Sequence, residues 1–221
     1  MRPTVPFLAL LVSSLPLAAQ RFEPTFQLGF RTPIGGDLVV PVPTPGGVGF
    51  TSTPRTFTET GGLVFGAGGR LRLTDTFGVA TGLSATLAER TTDWNGPTNC
   101  RPCSNTIVNG LLGLSARRAL DERYTLDLVL GGEAIHLTGD AQELDVGAAG
   151  DIVPTSKTVG GFTASIGTTL APVSSGLLRL DVRWRAYSVP AKWTDASLTQ
   201  TFGDPEAASV RDLRIILGWS F

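Results

Sequence analysis

Strict alternation of apolar and charged residues is the feature that most limits how this chain can fold. The clearest run is LLRLDVRWRAY at residues 177–187, where Leu, Val, Trp and Ala take every second position and Arg and Asp fill most positions between them. Successive side chains of a β-strand point to opposite faces, whereas a helix would spread these charges around its circumference. The run therefore predicts a strand with one apolar and one charged face.

The same period of two recurs along the chain and predicts eight strands. Each run is close to the roughly 9–11 residues with which a tilted strand crosses the hydrocarbon layer of a membrane. The fourth run is the least regular, because Ile107 and Leu111 fall on its polar face. The runs are TFQLGFRT, GGLVFGAGGRLRL, FGVATGLSATLA, TIVNGLLGLSAR, YTLDLVLGGEA, TVGGFTASIGTTLA, LLRLDVRWRAY and VRDLRIILGWSF.

The connections between these runs alternate in length. Long segments lie at about 33–60, 88–105, 138–157 and 188–209, and the short turns are TDT, ALDER and PVSSG. Alternating short turns and long loops on an even number of strands is typical of a transmembrane β-barrel. The expected fold is all-β, a closed eight-stranded antiparallel up-and-down transmembrane β-barrel, with both termini and the short turns on the periplasmic side. A hairpin within residues 33–60 would instead give ten strands.

The last strand carries a more specific signal. An amphipathic final strand that ends in Phe, with an aromatic residue two positions earlier, resembles the assembly signal of bacterial outer-membrane β-barrels. The residues in this pattern are Leu213, Ile215, Leu217, Trp219 and Phe221. Residues 20–221 as a whole resemble the small eight-stranded outer-membrane barrels of the OmpX and OmpA-transmembrane type. The resemblance implies a monomer in the cell outer membrane, in contact with its lipid and inserted by the barrel-assembly machinery.

The first residues predict export. A basic residue, an apolar run and two small residues follow one another in MRPTVPFLALLVSSLPLAA, which is the order of a secretory signal peptide over residues 1–19. A membrane anchor is the alternative interpretation of this run, and a secreted soluble barrel is the alternative for the exported chain. The near balance of 18 basic and 19 acidic residues predicts no nucleic-acid partner.

The polar faces of the predicted strands are rich in arginine. Inside a narrow eight-stranded barrel these charges need partners, so we expect an arginine–carboxylate network. The network is predicted to contain Arg31, Arg70, Arg72, Asp127, Glu133, Arg179, Asp181, Arg183, Arg185, Asp212 and Arg214. Two interpretations stay open: a structural plug, or an anion path that uses the excess of arginine.

His136 is the sole histidine and raises a catalytic hypothesis. Its sequence HLT resembles the His-x-Ser of lipid A deacylase barrels, with Thr138 in place of the serine and Glu143 as the acid. A hydroxyl, an imidazole and a carboxylate that meet in space can form a nucleophilic triad. The alternative is a histidine at the membrane rim with no catalytic role.

Cys100 and Cys103 are the only cysteines and lie in the second long loop. Exported thiols tend to oxidise, and no histidine accompanies them as a zinc ligand would, so a disulfide between the two is predicted. We expect no metal and no cofactor. The sequence favours an outer-membrane barrel with a structural or surface-interaction role for its four loops, with a porin-like anion conduit or a lipid A-modifying hydrolase as alternatives.

Overall fold

The computed structural model describes residues 22–43, 50–59, 61–92, 103–121, 124–139, 144–145, 151–173, 176–193, 195–204 and 207–220. Within these ranges the chain forms twelve strands and one short helix. The strands are β1 (Phe22–Pro43), β2 (Phe50–Glu59), β3 (Gly62–Arg72), β4 (Phe77–Thr92), β5 (Cys103–Ala119), β6 (Thr125–Gly139), β7 (Leu144–Asp145), β8 (Asp151–Pro154), β9 (Thr158–Val173), β10 (Gly176–Val189), β11 (Ala191–Trp193) and β12 (Ala208–Ser220). The helix is α1 (Ala196–Phe202).

Eight of these strands close into a barrel. They pair antiparallel in the order β1, β3, β4, β5, β6, β9, β10 and β12, and β12 pairs back onto β1. The closing register runs from Thr25 opposite Ser220 to Asp37 opposite Ser209. Closure leaves no strand edge, which is what a sheet in lipid requires because no water is present to satisfy free backbone groups. The predicted eight-stranded barrel is confirmed.

The segment predicted as the first long loop is a β-hairpin. The far end of β1 pairs with β2, from Asp37 opposite Thr56 to Pro43 opposite Phe50. Strand β2 also pairs with the end of β4, where Glu59 lies opposite Arg90. The hairpin of β1 and β2 therefore extends beyond the ring and adds no strand to the eight.

The other long connections also contain secondary structure. Strands β7, β8 and β11 form a separate three-stranded sheet, and α1 follows β11. Asp195 caps α1 by accepting a hydrogen bond from the backbone N–H of Ser197 at 2.8 Å, and the helix ends at Gly203 with φ of 75°. No helix in the described ranges is both long enough and apolar enough to cross a membrane.

The two faces of the barrel differ as the alternation predicts. Large apolar side chains such as Leu83, Leu112 and Leu114 are exposed on the outside. The irregular fourth run is the exception on the inside, where Ile107 and Leu111 are buried among polar residues. An apolar outer surface of this extent is expected of a barrel in contact with lipid.

Aromatic residues mark the barrel end that carries the short turns. Phe26, Phe77, Tyr124 and Trp219 are all exposed there, where an interfacial girdle lies in membrane barrels. Phe221, the last residue of the predicted assembly signal, lies outside the described residues.

Candidate functional site: the charged lumen

The inward-facing charges form two clusters along the barrel axis. The turn-side cluster lies near the short turns and consists of Glu23, Arg70, Arg72, Arg117, Asp127, Arg179 and Asp181. The loop-side cluster lies towards the long connections and consists of Arg31, Glu133, Arg185, Asp212 and Arg214.

Asp127 is the centre of the turn-side cluster. Its Oδ1 accepts from Arg70 at 3.0 Å and from Arg117 Nε at 2.7 Å, and its Oδ2 accepts from Arg179. These arginines come from β3, β5 and β10, so one carboxylate on β6 joins three other strands across the lumen. Charge-assisted hydrogen bonds are roughly twice as strong as neutral ones, which favours a rigid turn end.

Glu23 completes the turn-side cluster and was missed by the sequence analysis. Its carboxylate pairs with Arg117 at 2.7 Å and with Arg72 at 2.8 Å. Glu23 precedes TFQLGFRT, the first alternating run. Pro24 follows it directly, and the prediction started the strand after this proline. Extending the inward register of Arg31 backwards in steps of two would have reached Glu23.

Asp212 is the centre of the loop-side cluster. Its Oδ2 accepts from Arg31 Nε at 2.8 Å and from Arg185 Nε at 3.0 Å, and its Oδ1 lies 3.5 Å from Arg214 Nε. Arg185 also lies 3.5 Å from Glu133. The side chains of all five residues are fully buried.

Arg214 links this cluster to neutral side chains on the far wall. Its Nη1 donates to Asn109 Oδ1 at 3.1 Å and to Ser84 Oγ at 3.3 Å. Ser84 itself donates to Asn109 at 2.9 Å. The loop-side cluster therefore reaches from β12 across the lumen to β4 and β5.

The structure places all of the predicted network residues on the inner wall. Arg183 is buried between the two clusters, and Arg72 is the member with the most exposed side chain. With Glu23 and Arg117 included, the two clusters and Arg183 contain eight arginines and five acids, so 8 − 5 leaves a formal charge of +3 on these described lumen residues.

A small cavity lies in the turn-side half of the lumen. Its volume is about 70 Å³. The wall contains four arginines and three acids together with Ser115 and Ser165. The charged members are Arg70, Arg117, Arg179, Arg183, Glu23, Asp127 and Asp181.

The structure gives the predicted catalytic residues other partners. His136 is exposed on the outer face, and its Nδ1 lies 2.8 Å from Thr158 Oγ1. Thr138 donates its hydroxyl to the carbonyl of Thr106 at 3.0 Å. Glu143 lies outside the described residues, so the predicted acid has no assigned place. In the described part of the chain no group of three or more His, Cys, Asp or Glu residues is arranged to hold a metal ion.

Cys103 is the first residue of β5, so it starts a strand opposite Arg90 and not a turn within the loop. Cys100 lies outside the described residues, as does the predicted signal peptide, and the disulfide stays a prediction.

Comparison with known proteins identifies the class through the fold. No family model matches the chain, and no curated protein matches it. The crystal structure of the outer membrane protein OprG from Pseudomonas aeruginosa matches with a TM-score of 0.56 and 11% identity over 90% of this chain and 95% of that one. The solid-state NMR structure of the outer membrane protein AlkL in DMPC lipid bilayers matches with a TM-score of 0.54 and 14% identity over 91% and 90%.

These similarities concern the fold. The closed ring and the exposed apolar surface define an integral membrane β-barrel. The barrel has the fold of the small eight-stranded outer-membrane proteins.

Proposed function

We propose that this protein is a non-conducting outer-membrane barrel that presents a structured surface on its loop side. The observation that carries the proposal is the loop-side cluster, whose five charged side chains are fully buried inside the ring. A water-filled path at this level would require the hydrogen bonds from Arg31 and Arg185 to Asp212 to break, and charge-assisted hydrogen bonds are among the strong ones. An eight-stranded ring is also only just wide enough for side chains to fill.

The loop side supports a role in surface interaction. The β1–β2 hairpin extends beyond the ring, and the sheet of β7, β8 and β11 is held to neighbouring segments by backbone hydrogen bonds. Thr155 N–H donates to Pro190 O at 2.9 Å, and Leu137 N–H donates to Lys157 O at 2.8 Å. Preformed segments lose less conformational entropy on binding than flexible ones, which favours recognition by this face.

Conductance in planar bilayers tests the closed lumen. The purified, refolded protein is added to a bilayer in symmetrical KCl, with a porin in the same apparatus as the positive control. We expect insertion without current steps. A reproducible step of porin size would refute the plug.

An anion conduit is the second candidate, and the lumen charge of +3 favours it. If steps appear, the reversal potential in a KCl gradient identifies the permeant ion, and a shift towards the chloride equilibrium potential establishes the conduit. The absence of steps at every voltage counts against this candidate.

Protease treatment of intact cells tests the surface role. The loop-side segments should be cleaved by protease added outside, while the eight spanning strands remain protected as one folded core. Cleavage only after the outer membrane is permeabilised would place these segments on the periplasmic side and refute the proposal.

A further inference from the structure

We infer that the turn-side cavity is a binding site for one small monovalent inorganic anion, of which chloride is the natural example. The site uses three donors on the cavity wall: Arg70 Nε, Ser115 Oγ and Arg183 Nε. It goes beyond the proposed function, since a barrel that conducts nothing can still hold an ion at one end.

The three donors share one property. Each is buried and has no hydrogen-bond partner among the described residues. Arg70 is 7% exposed, Ser115 is 3% exposed and Arg183 is 6% exposed. A buried polar group without a partner is unfavourable, and in native proteins such groups usually have a bound water or ion as partner. Three of them on the wall of one cavity indicate a common acceptor.

Gly78 on β4 shows that two of these donors face the same space. A Cβ atom built on Gly78 would lie 2.9 Å from Arg70 Nε and 3.1 Å from Ser115 Oγ. One point near the glycine is thus within hydrogen-bond distance of both donors. The carbonyl oxygen of Leu71 lies 2.6 Å from that Cβ, so an anion must contact the two donors from a position other than that of the Cβ.

The charge around the cavity favours an anion over water. Its wall contains four arginines and three acids, so 4 − 3 leaves one positive charge. Asp127 is already paired with Arg70, Arg117 and Arg179, whereas Arg183 forms no ion pair with any described acidic residue. Water would accept hydrogen bonds from the donors but would leave this charge uncompensated, while one monovalent anion satisfies both.

The size of the cavity restricts the ligand. A cavity of about 70 Å³ has room for a halide ion together with water. Organic ligands occupy pockets of about 300–1,000 Å³.

Thermal stability in two salts tests the site. The barrel is refolded in a zwitterionic detergent, and its unfolding midpoint is compared in sodium chloride and in sodium gluconate at equal ionic strength. A ligand that binds only the folded state raises the midpoint with increasing concentration. We expect a saturable rise in chloride, a smaller rise in Ser115→Ala and none in Arg183→Gln. Arg211→Gln, which changes an exposed arginine on β12, should behave as the unmodified protein.

Crystals grown in sodium bromide give the second measurement and do not depend on any variant folding. We expect one anomalous peak in the turn-side lumen within contact of Arg183 and Ser115. Equal midpoints in chloride and gluconate together with no bromide peak would show that only water occupies the cavity and would overturn the inference. A rise that persists in Arg183→Gln would overturn the assignment of the donors.

Discussion

At the scale of single residues, Asp212 has the largest predicted effect on stability. Its carboxylate is shared by Arg31, Arg185 and Arg214, and all four side chains are fully buried. Removing one partner of a buried ion pair typically costs about 3–5 kcal/mol because the remaining charge is left uncompensated. We expect Asp212→Asn to lower the free energy of unfolding by about this amount, measured by urea titration in lipid vesicles.

Asp75 provides the matched control for this measurement. It is an exposed aspartate in the turn between β3 and β4. Asp75→Asn makes the same chemical change outside the lumen and should alter the free energy of unfolding by less than about 0.5 kcal/mol. If both variants unfold at the same urea concentration, Asp212 is not the centre of a stabilising cluster.

Gly131 and Gly132 test how closely the strands approach inside the ring. A Cβ on Gly131 would lie 2.5 Å from Leu112 O and 2.6 Å from Gly113 Cα, which are backbone atoms of β5. A Cβ on Gly132, which faces outwards, would meet only Gly161 O at 3.8 Å. We expect Gly131→Ala to destabilise the barrel by about 1–3 kcal/mol through overpacking.

Gly132→Ala is the control, because the added methyl group has room on the outer face. It should leave the free energy of unfolding unchanged or raise it slightly, since Ala restricts the unfolded chain. Both variants are compared by urea titration in the same vesicles. Equal stabilities for the two would contradict the close approach of β5 and β6.

At the scale of secondary structure, the period of two predicted the ring strands well because a bilayer outside and charges inside impose it on every strand. The period of two did not predict the strands beyond the ring, where neither the bilayer nor the lumen charges act. Residues 33–60 were assigned to a loop from their Pro and Gly content, yet Asp37–Pro43 pairs with Phe50–Thr56 as a hairpin. Proline has no backbone N–H, but it is compatible with extended backbone at strand positions where that nitrogen need not donate a hydrogen bond. The Pro and Gly content alone therefore did not predict the hairpin.

The partners inside the lumen could not be predicted in the same way. Alternation identifies which face Arg31 and Asp212 occupy, but they are 181 residues apart and meet only because β12 pairs back onto β1. Strand register decides every such pair, and a shift by one residue would exchange the two faces. Alternation therefore assigns a charged residue to a face of its strand but does not identify its partner across the lumen.

The helix cap on the loop side gives a prediction for one element. The pKa of Asp195 is lowered by hydrogen bonds from Ser197, first from its side chain and then from its backbone. Asp195→Ala removes the cap and should increase cleavage by protease within 195–204 about fivefold. The eight-stranded ring should stay intact, as judged by its mobility on unheated gels.

The same cap predicts a dependence on pH. A carboxyl with a lowered pKa in the folded state stabilises that state above its unfolded pKa, near 3.9, and the effect disappears as the pH falls through the folded pKa. Hydrogen exchange within α1 should therefore be slow relative to an unstructured chain at neutral pH, with less protection below pH 4. Asp195→Ala should not show this change in protection. An identical pH profile for both proteins would mean that Asp195 does not cap the helix.

At the scale of the whole molecule, the two faces of the barrel have opposite requirements. The outer surface must be apolar over its full circumference, whereas the described residues of the lumen include thirteen charged side chains, eight arginines and five acids, in and between its two clusters. The charged residues join strands that are distant in the sequence, so the clusters stabilise the ring against opening. The contact between Arg31 and Asp212 depends on closure between the first and last strands.

A pair of cysteines across the closing strands tests that step. Leu28 on β1 lies directly opposite Leu217 on β12, and both side chains are exposed on the outer face. Residues opposite each other on antiparallel strands have Cβ atoms about 4.5–5.5 Å apart, within reach of a disulfide after small adjustment. With the native cysteines changed to serine, Leu28→Cys together with Leu217→Cys should crosslink within one chain under mild oxidation.

The control combines Leu28→Cys with Leu213→Cys, which lies opposite Thr32 and thus four residues along the strand. At about 3.4 Å per residue this pair is too far apart to bridge. On non-reducing gels after heating in detergent, we expect the first variant alone to retain a faster mobility, because its chain remains a covalent ring. Crosslinked dimers in place of the fast monomer would show that β1 and β12 meet between molecules, and the closed single-chain barrel would then be wrong.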